Sequence, residues 1–318
     1  MPVLNSIAAF AEDMTAWRRH LHANPELSYQ EHETAAFVAE KLKSFGIEVT
    51  TGVGGTGVVG VLVGAKGDGP TIGLRADMDA LAIEEKNNTP YRSVNVGVMH
   101  ACGHDGHTTM LLGAARHLAQ DRAFAGKVVF IFQPAEEMGG EDGGAARMMR
   151  EGLFEKFPCD EIYGMHNWPG MAIGTFAAKG GPMMASGDGY EITIRSKGMH
   201  AAQPQRGADT VLTAAQITVA LQQIASRQTD PLHAIVVSTT QIHGGDAYNV
   251  LPNEVVLRGT VRAFHPEARA QAEPSLRTIV EGVCKMTGAE ATVRYERQYP
   301  TLVNDHGAAD RALASAGK

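Results

Sequence analysis

The sequence predicts an α/β protein with a mainly parallel central sheet, followed by a unit of the order β-α-β-β-α-β. In the first half, short apolar runs typical of buried strands alternate with helical stretches; the runs are 71–75, 127–132 and 161–165. This alternation is typical of a parallel sheet covered by helices. After Gly180-Gly181-Pro182 the order becomes that of a ferredoxin-like sandwich. A length of 318 residues also favours two domains.

Two helices and a pair of strands are predicted before the first apolar run. Apolar side chains recur at helical spacing over residues 6–23, and Asn24-Pro25 ends that helix. A second helix is predicted from Ser28 to Phe45, because Glu31 follows Ser28 at the spacing of a capping box. Residues 47–51 and 57–63 are rich in β-branched side chains and are predicted to be strands.

The glycine-rich segment 52–57 matches the pattern G-x-G-x-x-G, which in dinucleotide-binding proteins leads directly into a helix. Here a β-branched run, 58–63, follows instead. We therefore interpret the segment as the turn of a hairpin. A nicotinamide-dependent oxidoreductase is the competing hypothesis that this segment leaves open.

Acidic and histidine side chains follow each of the three apolar runs. These residues are Asp77, Asp79, Glu136, Glu137 and His166. Ligands of parallel sheets bind beyond the carboxyl ends of the strands, so we expect these side chains to meet at one edge. A metal-dependent hydrolase needs ligands and a carboxylate that is not a ligand, and the adjacent glutamates can divide these tasks. The alternatives are surface glutamates and a structural histidine.

The segment 100–107 concentrates donors that suit a borderline-soft divalent metal such as Zn²⁺. Its candidate residues are His100, Cys102, His104, Asp105 and His107. A helical stretch over 107–120 follows, which predicts that the segment is a loop leading into a helix N-terminus. The alternative is a polar loop that happens to contain histidines.

The second half of the chain supplies the elements of the ferredoxin-like unit in order. Strands are predicted at 190–195, 234–242, 255–264 and 291–299, and helices at 208–227 and 266–288. Pro266 stands near the start of the last helix, where proline is favoured.

Composition excludes some classes of partner and compartment. The net charge of −7 argues against nucleic acid and anionic membranes as partners. No apolar run approaches the length that spans a membrane, and the N-terminus has no secretory signal pattern. Three widely spaced cysteines do not form a disulfide framework, so we expect a cytoplasmic protein.

Five segments together resemble one family of enzymes. They are Arg18-Arg-His-Leu-His22 with Pro25-Glu-Leu27, Arg75-Ala-Asp-Met-Asp-Ala-Leu81, His100-Ala-Cys-Gly-His-Asp-Gly-His107, Gln133-Pro-Ala-Glu-Glu137 and Gly164-Met-His-Asn167. Their order and spacing resemble the zinc-peptidase-like amidohydrolases, which include hippurate hydrolases, N-acyl-amino-acid amidohydrolases and auxin–amino-acid conjugate hydrolases. The resemblance implies a catalytic domain over 1–182, an inserted lid or dimerisation domain over 183–292, and a return to the catalytic domain over 293–318.

The resemblance also implies a site with two divalent ions, Mn²⁺, Zn²⁺, Co²⁺ or Ni²⁺. Cys102 would bridge the two ions, and His104, Glu137 and His166 would be further ligands. Glu136 would accept a proton from the attacking water and return it to the leaving amine. Asp79 would take part by orienting a ligand.

In the second domain, the resemblance implies three substrate-side residues. His200, in Lys197-Gly-Met-His-Ala-Ala, would reach the active site of a partner subunit and stabilise the oxyanion. Asn249 and Arg262 would hold the carboxylate of an N-acyl amino acid substrate. The implied assembly is a homodimer or homotetramer formed through this domain. The alternatives are a loop histidine, a turn asparagine and a strand-edge arginine.

Relatives of this family continue past the second domain and supply a late histidine ligand. The sequence ends at Lys318, and His306 lies too early to match that ligand. We therefore expect a C-terminally truncated catalytic domain with weakened metal binding. A second function stays open, that of a catalytically impaired protein that only binds metal or ligand.

Overall fold

The computed structural model describes residues 4–317, which divide into two compact units. The first unit ends at Thr175 and the second begins at Phe176. The functional domain boundaries at residues 182 and 292 stay predictions.

The first unit contains six helices and five strands within the described residues. The helices are α1 (Asn5–Ala8), α2 (Ala11–Ala23), α3 (His32–Ser44), α4 (His104–Asp121), α5 (Gly144–Arg150) and α6 (Leu153–Lys156). The strands are β1 (Glu48–Val53), β2 (Gly57–Val63), β3 (Thr71–Asp77), β4 (Lys127–Gln133) and β5 (Glu161–Gly164).

These strands form one sheet in the order β1-β2-β4-β3-β5. Strand β3 pairs in parallel with both β4 and β5, as the strand–helix alternation predicts. The hairpin of β1 and β2 adds to β4 in antiparallel fashion, so the sheet as a whole is mixed. The three strands that carry the chemistry therefore end at the same edge.

Strand β4 is the centre of the core because it is buried on both faces. Phe130 and Phe132 pack on the face that α4 covers, where Leu112 is fully buried. Val129 and Ile131 pack on the opposite face against Met148 of α5. Each such side chain contributes about 1.5–3 kcal/mol to folding, which fixes β4 and the residues that follow it.

The start of α3 corrects one prediction. The helix begins at His32, and its N-cap Glu31 makes no side-chain capping bond, so the predicted capping box is wrong. The hydroxyl of Ser28 donates instead to Asp79 Oδ2 at 2.7 Å. The glycine-rich segment is the predicted hairpin turn, since β2 rather than a helix begins at Gly57.

The second unit contains eight strands and three α-helices within the described residues. The strands are β6 (Gly181–Met184), β7 (Ser186–Arg195), β8 (Met199–His200), β9 (Ile235–His243), β10 (Val250–Leu251), β11 (Glu254–Ala263), β12 (Glu290–Arg297) and β13 (Leu302–Asn304). The helices are α7 (Thr210–Ala220), α8 (Pro266–Thr287) and α9 (His306–Ala316).

The main sheet of this unit has the order β12-β7-β11-β9, with every pair antiparallel. Together with α7 and α8 it forms the predicted β-α-β-β-α-β sandwich, with a core that includes Ile192, Ile217 and Leu276. The helix predicted over 208–227 is shorter, because α7 ends at Ala220 and a π-helical turn, Ile224–Gln228, follows.

Among residues 4–317, no helix combines the length and the apolar character that crossing a membrane requires.

Candidate metal centre

The candidate centre lies where β3, β4 and β5 end and where α4 begins. Gly103 precedes α4 with a φ of +88°, in the left-handed region that favours glycine. A Cβ at this position would lie 2.7 Å from Asn167 Nδ2, so the close approach also requires glycine. As a result, His104 is the first residue of α4 and stands at the strand ends.

His104 is the central residue of the cluster and is 1 % exposed. Its Nδ1–H donates to the carbonyl oxygen of Asp79 at 2.8 Å, which leaves Nε2 to face the acids. Nε2 lies 3.7 Å from Glu137 Oε1 and 3.8 Å from Glu136 Oε2. Burial lowers the pKa of His104, but the neighbouring Asp79 and Cys102 raise it to about 11. The field at this position therefore favours a positive charge.

Cys102 and His166 form the neighbouring pair. Sγ of Cys102 lies 3.4 Å from Nε2 of His166, whose Nδ1–H donates to the carbonyl oxygen of Asn167. The neighbouring imidazoles of His104 and His166 lower the pKa of Cys102. The contact with Cys102 raises the pKa of His166 to about 8. These shifts favour a thiolate, which is the form that binds metal.

The arrangement fits a divalent metal by two observations. Nε2 of His104 and Oε1 of Glu137 are both buried and have no hydrogen-bond partner among residues 4–317. Ligands bound at about 2.0–2.3 Å in tetrahedral geometry lie about 3.3–3.7 Å from one another. The separations of 3.7 Å for His104–Glu137 and 3.4 Å for Cys102–His166 agree with that spacing. Thiolate, imidazole and carboxylate together suit Zn²⁺ and its neighbours.

Asp77 and His107 form a buried pair behind His104. The backbone N–H of Asn167 donates to Nε2 of His107 at 2.9 Å, so the proton is on Nδ1, which donates to Asp77 at 2.6 Å. Arg75 donates to the other oxygen of Asp77 at 2.6 Å. Burial raises the pKa of Asp77, but His107 and Arg75 hold it well below its usual range. Asp77 is therefore a fixed negative charge.

Asp79 joins three parts of the centre. Its Oδ2 accepts from the hydroxyl of Ser28 and, at 3.0 Å, from the backbone N–H of Glu137. Its carbonyl oxygen accepts from His104. Burial raises the pKa of Asp79, but these donors lower it below its ordinary value. Asp79 thus touches two candidate ligands, and its orienting role stays a prediction.

The two glutamates face the cluster together because the chain turns sharply before them. Ala135 has a φ of +46°, a left-handed conformation that is rare outside glycine. The side chains of Glu136 and Glu137 are 34 % and 22 % exposed. Burial, reinforced by nearby carboxylates, raises the pKa of both.

The segment 100–107 contributes fewer donors to the cluster than its composition suggests. Asp105 pairs with Arg18 at 2.8 Å and with His22 at 2.7 Å, away from the cluster. His100 is buried, neither of its nitrogens has a hydrogen-bond partner among residues 4–317, and burial lowers its pKa to about 4. Of the five candidates, Cys102 and His104 face the centre and His107 supports it from behind.

The three substrate-side candidates all lie in the second unit. His200 is exposed on β8, where it pairs with Val250, and its Nδ1 accepts from the N–H of Ala202. The carbonyl oxygen of Asn249 accepts from Ala201, so Asn249 and His200 lie on neighbouring segments. Arg262 stands on β11 and donates to Thr260 at 2.7 Å. The roles predicted for these three residues stay predictions.

Sequence reasoning missed the parts that Ser28, Glu31 and Asn167 play around the centre. Ser28 and Glu31 stand at the spacing of a local cap, and no local signal indicates their distant partners. Asn167 follows the candidate ligand His166, which is the only cue that the sequence offers.

Residues 73–318 match the peptidase family M20/M25/M40. The chain belongs to this family, and it is therefore a hydrolytic enzyme of a class that cleaves amide bonds. This membership confirms the resemblance and the α/β fold with its second, ferredoxin-like unit.

Among its relatives are three enzymes with related names. The N-acetyl-L-cysteine deacetylase of Bacillus subtilis is 41% identical over 94% of this chain and 71% of the relative. The hippurate hydrolase of Campylobacter jejuni is 43% identical, over 93% and 76%. The N-acyl-L-amino acid amidohydrolase of Geobacillus stearothermophilus is 43% identical, over 92% and 78%.

Two solved structures are similar over nearly the whole chain. A putative aminohydrolase from Staphylococcus aureus has a TM-score of 0.85 and 33% identity, and covers 98% of this chain and 82% of that one. A Bacillus subtilis protein described as a dinuclear metal binding peptidase has a TM-score of 0.77 and 38% identity, over 98% and 80%.

Proposed function

We propose that this protein hydrolyses the amide bond of N-acyl amino acids such as hippurate, with divalent metal held at the candidate centre. The observation that carries the proposal is the cluster around Nε2 of His104, where two glutamates face a buried nitrogen that has no protein partner. The names of the relatives, which act on N-acyl amino acids, supply the substrate class.

Cys102, His104, Glu137 and His166 would hold two divalent ions, Mn²⁺, Zn²⁺, Co²⁺ or Ni²⁺, with Cys102 between them. The donor groups Cys102–His104–His166 and His104–Glu136–Glu137 each bring their ligand atoms within 4.8 Å of one another. The similar structure described as dinuclear supports a count of two. When bound, such ions polarise the amide carbonyl and lower the pKa of water.

Glu136 is the proposed general base. Its side chain is 34 % exposed, and its Oε2 lies 3.8 Å from Nε2 of His104. Burial raises its pKa, which suits a group that must both accept and release a proton. Glu136 would accept a proton from water at a carboxylate oxygen and then deliver it to the nitrogen of the leaving amine. Asp79 would keep His104 in the required tautomer through its carbonyl oxygen.

The second unit would complete the site in an assembly of two or four subunits. His200 would stabilise the oxyanion in the active site of a partner subunit, and Asn249 and Arg262 would hold the substrate carboxylate. Their polar and cationic groups suit a carboxylate ligand. A cytoplasmic location remains part of the proposal, and the three cysteines are free.

The deciding experiment measures metal content and hydrolysis of hippurate and N-acetyl-methionine on the same preparations. Glu136→Gln should lower turnover by about 10²–10⁴-fold while metal stays bound. Glu155→Gln, on the exposed surface of α6, is the matched control and should behave as wild type.

Three results would count against parts of the proposal. Loss of metal in Glu136→Gln would mean that the roles of the two glutamates are exchanged. Metal binding without turnover of any N-acyl amino acid would support the alternative, a protein that binds metal or ligand only. Turnover that resists a chelator would refute the metal requirement.

A further inference from the structure

The turn that carries the two glutamates is held in an unfavourable conformation. Ala135 is fully buried, and its φ of +46° places its Cβ in the crowded left-handed region. Residues persist there only where their surroundings impose the conformation. The contacts around Ala135 therefore decide where Glu136 and Glu137 point.

Glycines enclose the turn on two sides. A Cβ on Gly144 would lie 1.7 Å from the carbonyl oxygen of Pro134, and one on Gly57 would lie 3.0 Å from Pro134 Cδ. The N–H of Gly144 also donates to the carbonyl oxygen of Ala135 at 3.0 Å. These contacts fix the carbonyl side of the turn but leave the N–H of Ala135 to another partner.

That partner is Glu31, a residue 104 positions earlier in the chain. The N–H of Ala135 donates to Glu31 Oε1 at 2.7 Å, and the hydroxyl of Thr56 donates to Glu31 Oε2 at 2.5 Å. Glu31 is 0 % exposed, and no cation pairs with it among residues 4–317. A carboxylate buried without a cation is costly. The hydrogen bonds from Ala135 and Thr56 are therefore the interactions that stabilise Glu31 in its buried position.

We propose that Glu31 is a positioning residue of the metal centre, which holds Ala135 left-handed so that Glu137 points at Nε2 of His104. The N–H of Glu137 is fixed on the other side by Asp79 at 3.0 Å. The turn is therefore held by hydrogen bonds to two carboxylates, those of Glu31 and Asp79, which come from distant parts of the chain. The consequence for metal affinity rests on metal binding at the candidate centre, and the catalytic consequence rests also on the proposed amide hydrolysis.

The test compares the zinc affinity of full-length variants by competition with a chromogenic chelator. Glu31→Ala removes both acceptors and should weaken zinc binding by about 10- to 100-fold. Glu31→Gln keeps an acceptor for Ala135 and can donate to Thr56, so its affinity should remain near that of wild type. Unchanged affinity in folded Glu31→Ala would overturn the proposal.

A second substitution separates positioning from general destabilisation. Glycine adopts a positive φ readily, so Ala135→Gly in the Glu31→Ala background should recover part of the lost affinity. Glu26→Ala is the matched control, since Glu26 accepts from the N–H groups of Glu33 and Thr34 and not from the turn. In the Glu26→Ala background, Ala135→Gly should not restore stability. A double variant that binds zinc no better than Glu31→Ala would refute the proposal.

If Glu31→Ala does not fold, Thr56→Val gives the same test more gently. It removes only the hydroxyl that orients Glu31, and zinc affinity should fall by about 2- to 10-fold. No change in that variant would also contradict the proposal. Absence of N-acyl amino acid hydrolysis in the wild type would refute the proposed function, while the zinc affinities would still decide the role of Glu31.

Discussion

Replacing His107 by alanine should weaken metal binding without removing a ligand. In the structure His107 uses both of its ring nitrogens, one to donate to Asp77 and one to accept from Asn167. Asp77 would keep Arg75 as its donor but would lose the bond at 2.6 Å that fixes it behind His104. The consequence should therefore be a looser centre with the same number of ions.

The size of the effect follows from the kind of hydrogen bond that is lost. A buried hydrogen bond to a charged group contributes about 1.5–3 kcal/mol. If that energy serves to preorganise the centre, metal affinity should fall by about 10- to 150-fold. His107→Asn, which can still donate to Asp77, should lose less and is the matched comparison.

The assay is zinc titration against a chelator, with the metal content measured at saturation. We expect weaker affinity and an unchanged stoichiometry in His107→Ala. A folded variant with the affinity of wild type would refute the argument that this pair organises the centre. A loss of one ion per chain would show instead that His107 is a ligand.

Two further outcomes are expected. Cys102→Ala should reduce the metal content at both proposed positions, because its sulfur lies within 4.8 Å of a ring nitrogen of both His104 and His166. Elemental analysis that shows full metal content would contradict a bridging role. Arg269→Ala should lower the free energy of unfolding by about 3–5 kcal/mol in urea titrations, because it leaves the fully buried carboxylate of Asp188 without its cation. A change below about 1 kcal/mol would mean that the hydrogen bond from Tyr295, at 2.9 Å, is sufficient to stabilise Asp188.

Strand ends were the most informative feature of the sequence. Asp77, Glu137 and His166 follow three separate apolar runs, and parallel pairing alone brings those ends together. The prediction succeeded because burial determines which runs become central strands. It required no knowledge of any side-chain contact.

The contacts that orient the ligands could not be predicted in the same way. Ser28 and Glu31 fit a local capping box, yet both side chains have tertiary partners. The hydroxyl of Ser28 donates to Asp79, and the carboxylate of Glu31 accepts from Ala135. Local and distant partners compete for the same polar groups, and the sequence around a residue shows only the local ones. The left-handed Ala135 gives no signal either, since alanine is not typical of that conformation.

The four proposed ligands, Cys102, His104, Glu137 and His166, all precede residue 167, which has a consequence for biogenesis. During synthesis, domains generally fold as units in the order in which they are made. Translation of residues 167–318 takes about 8–30 s at about 5–20 residues per second. The nascent first unit can therefore expose its thiolate, imidazoles and carboxylates to the cellular metal pool before the second unit exists. We therefore expect ion availability during synthesis to influence which metal the newly made protein acquires.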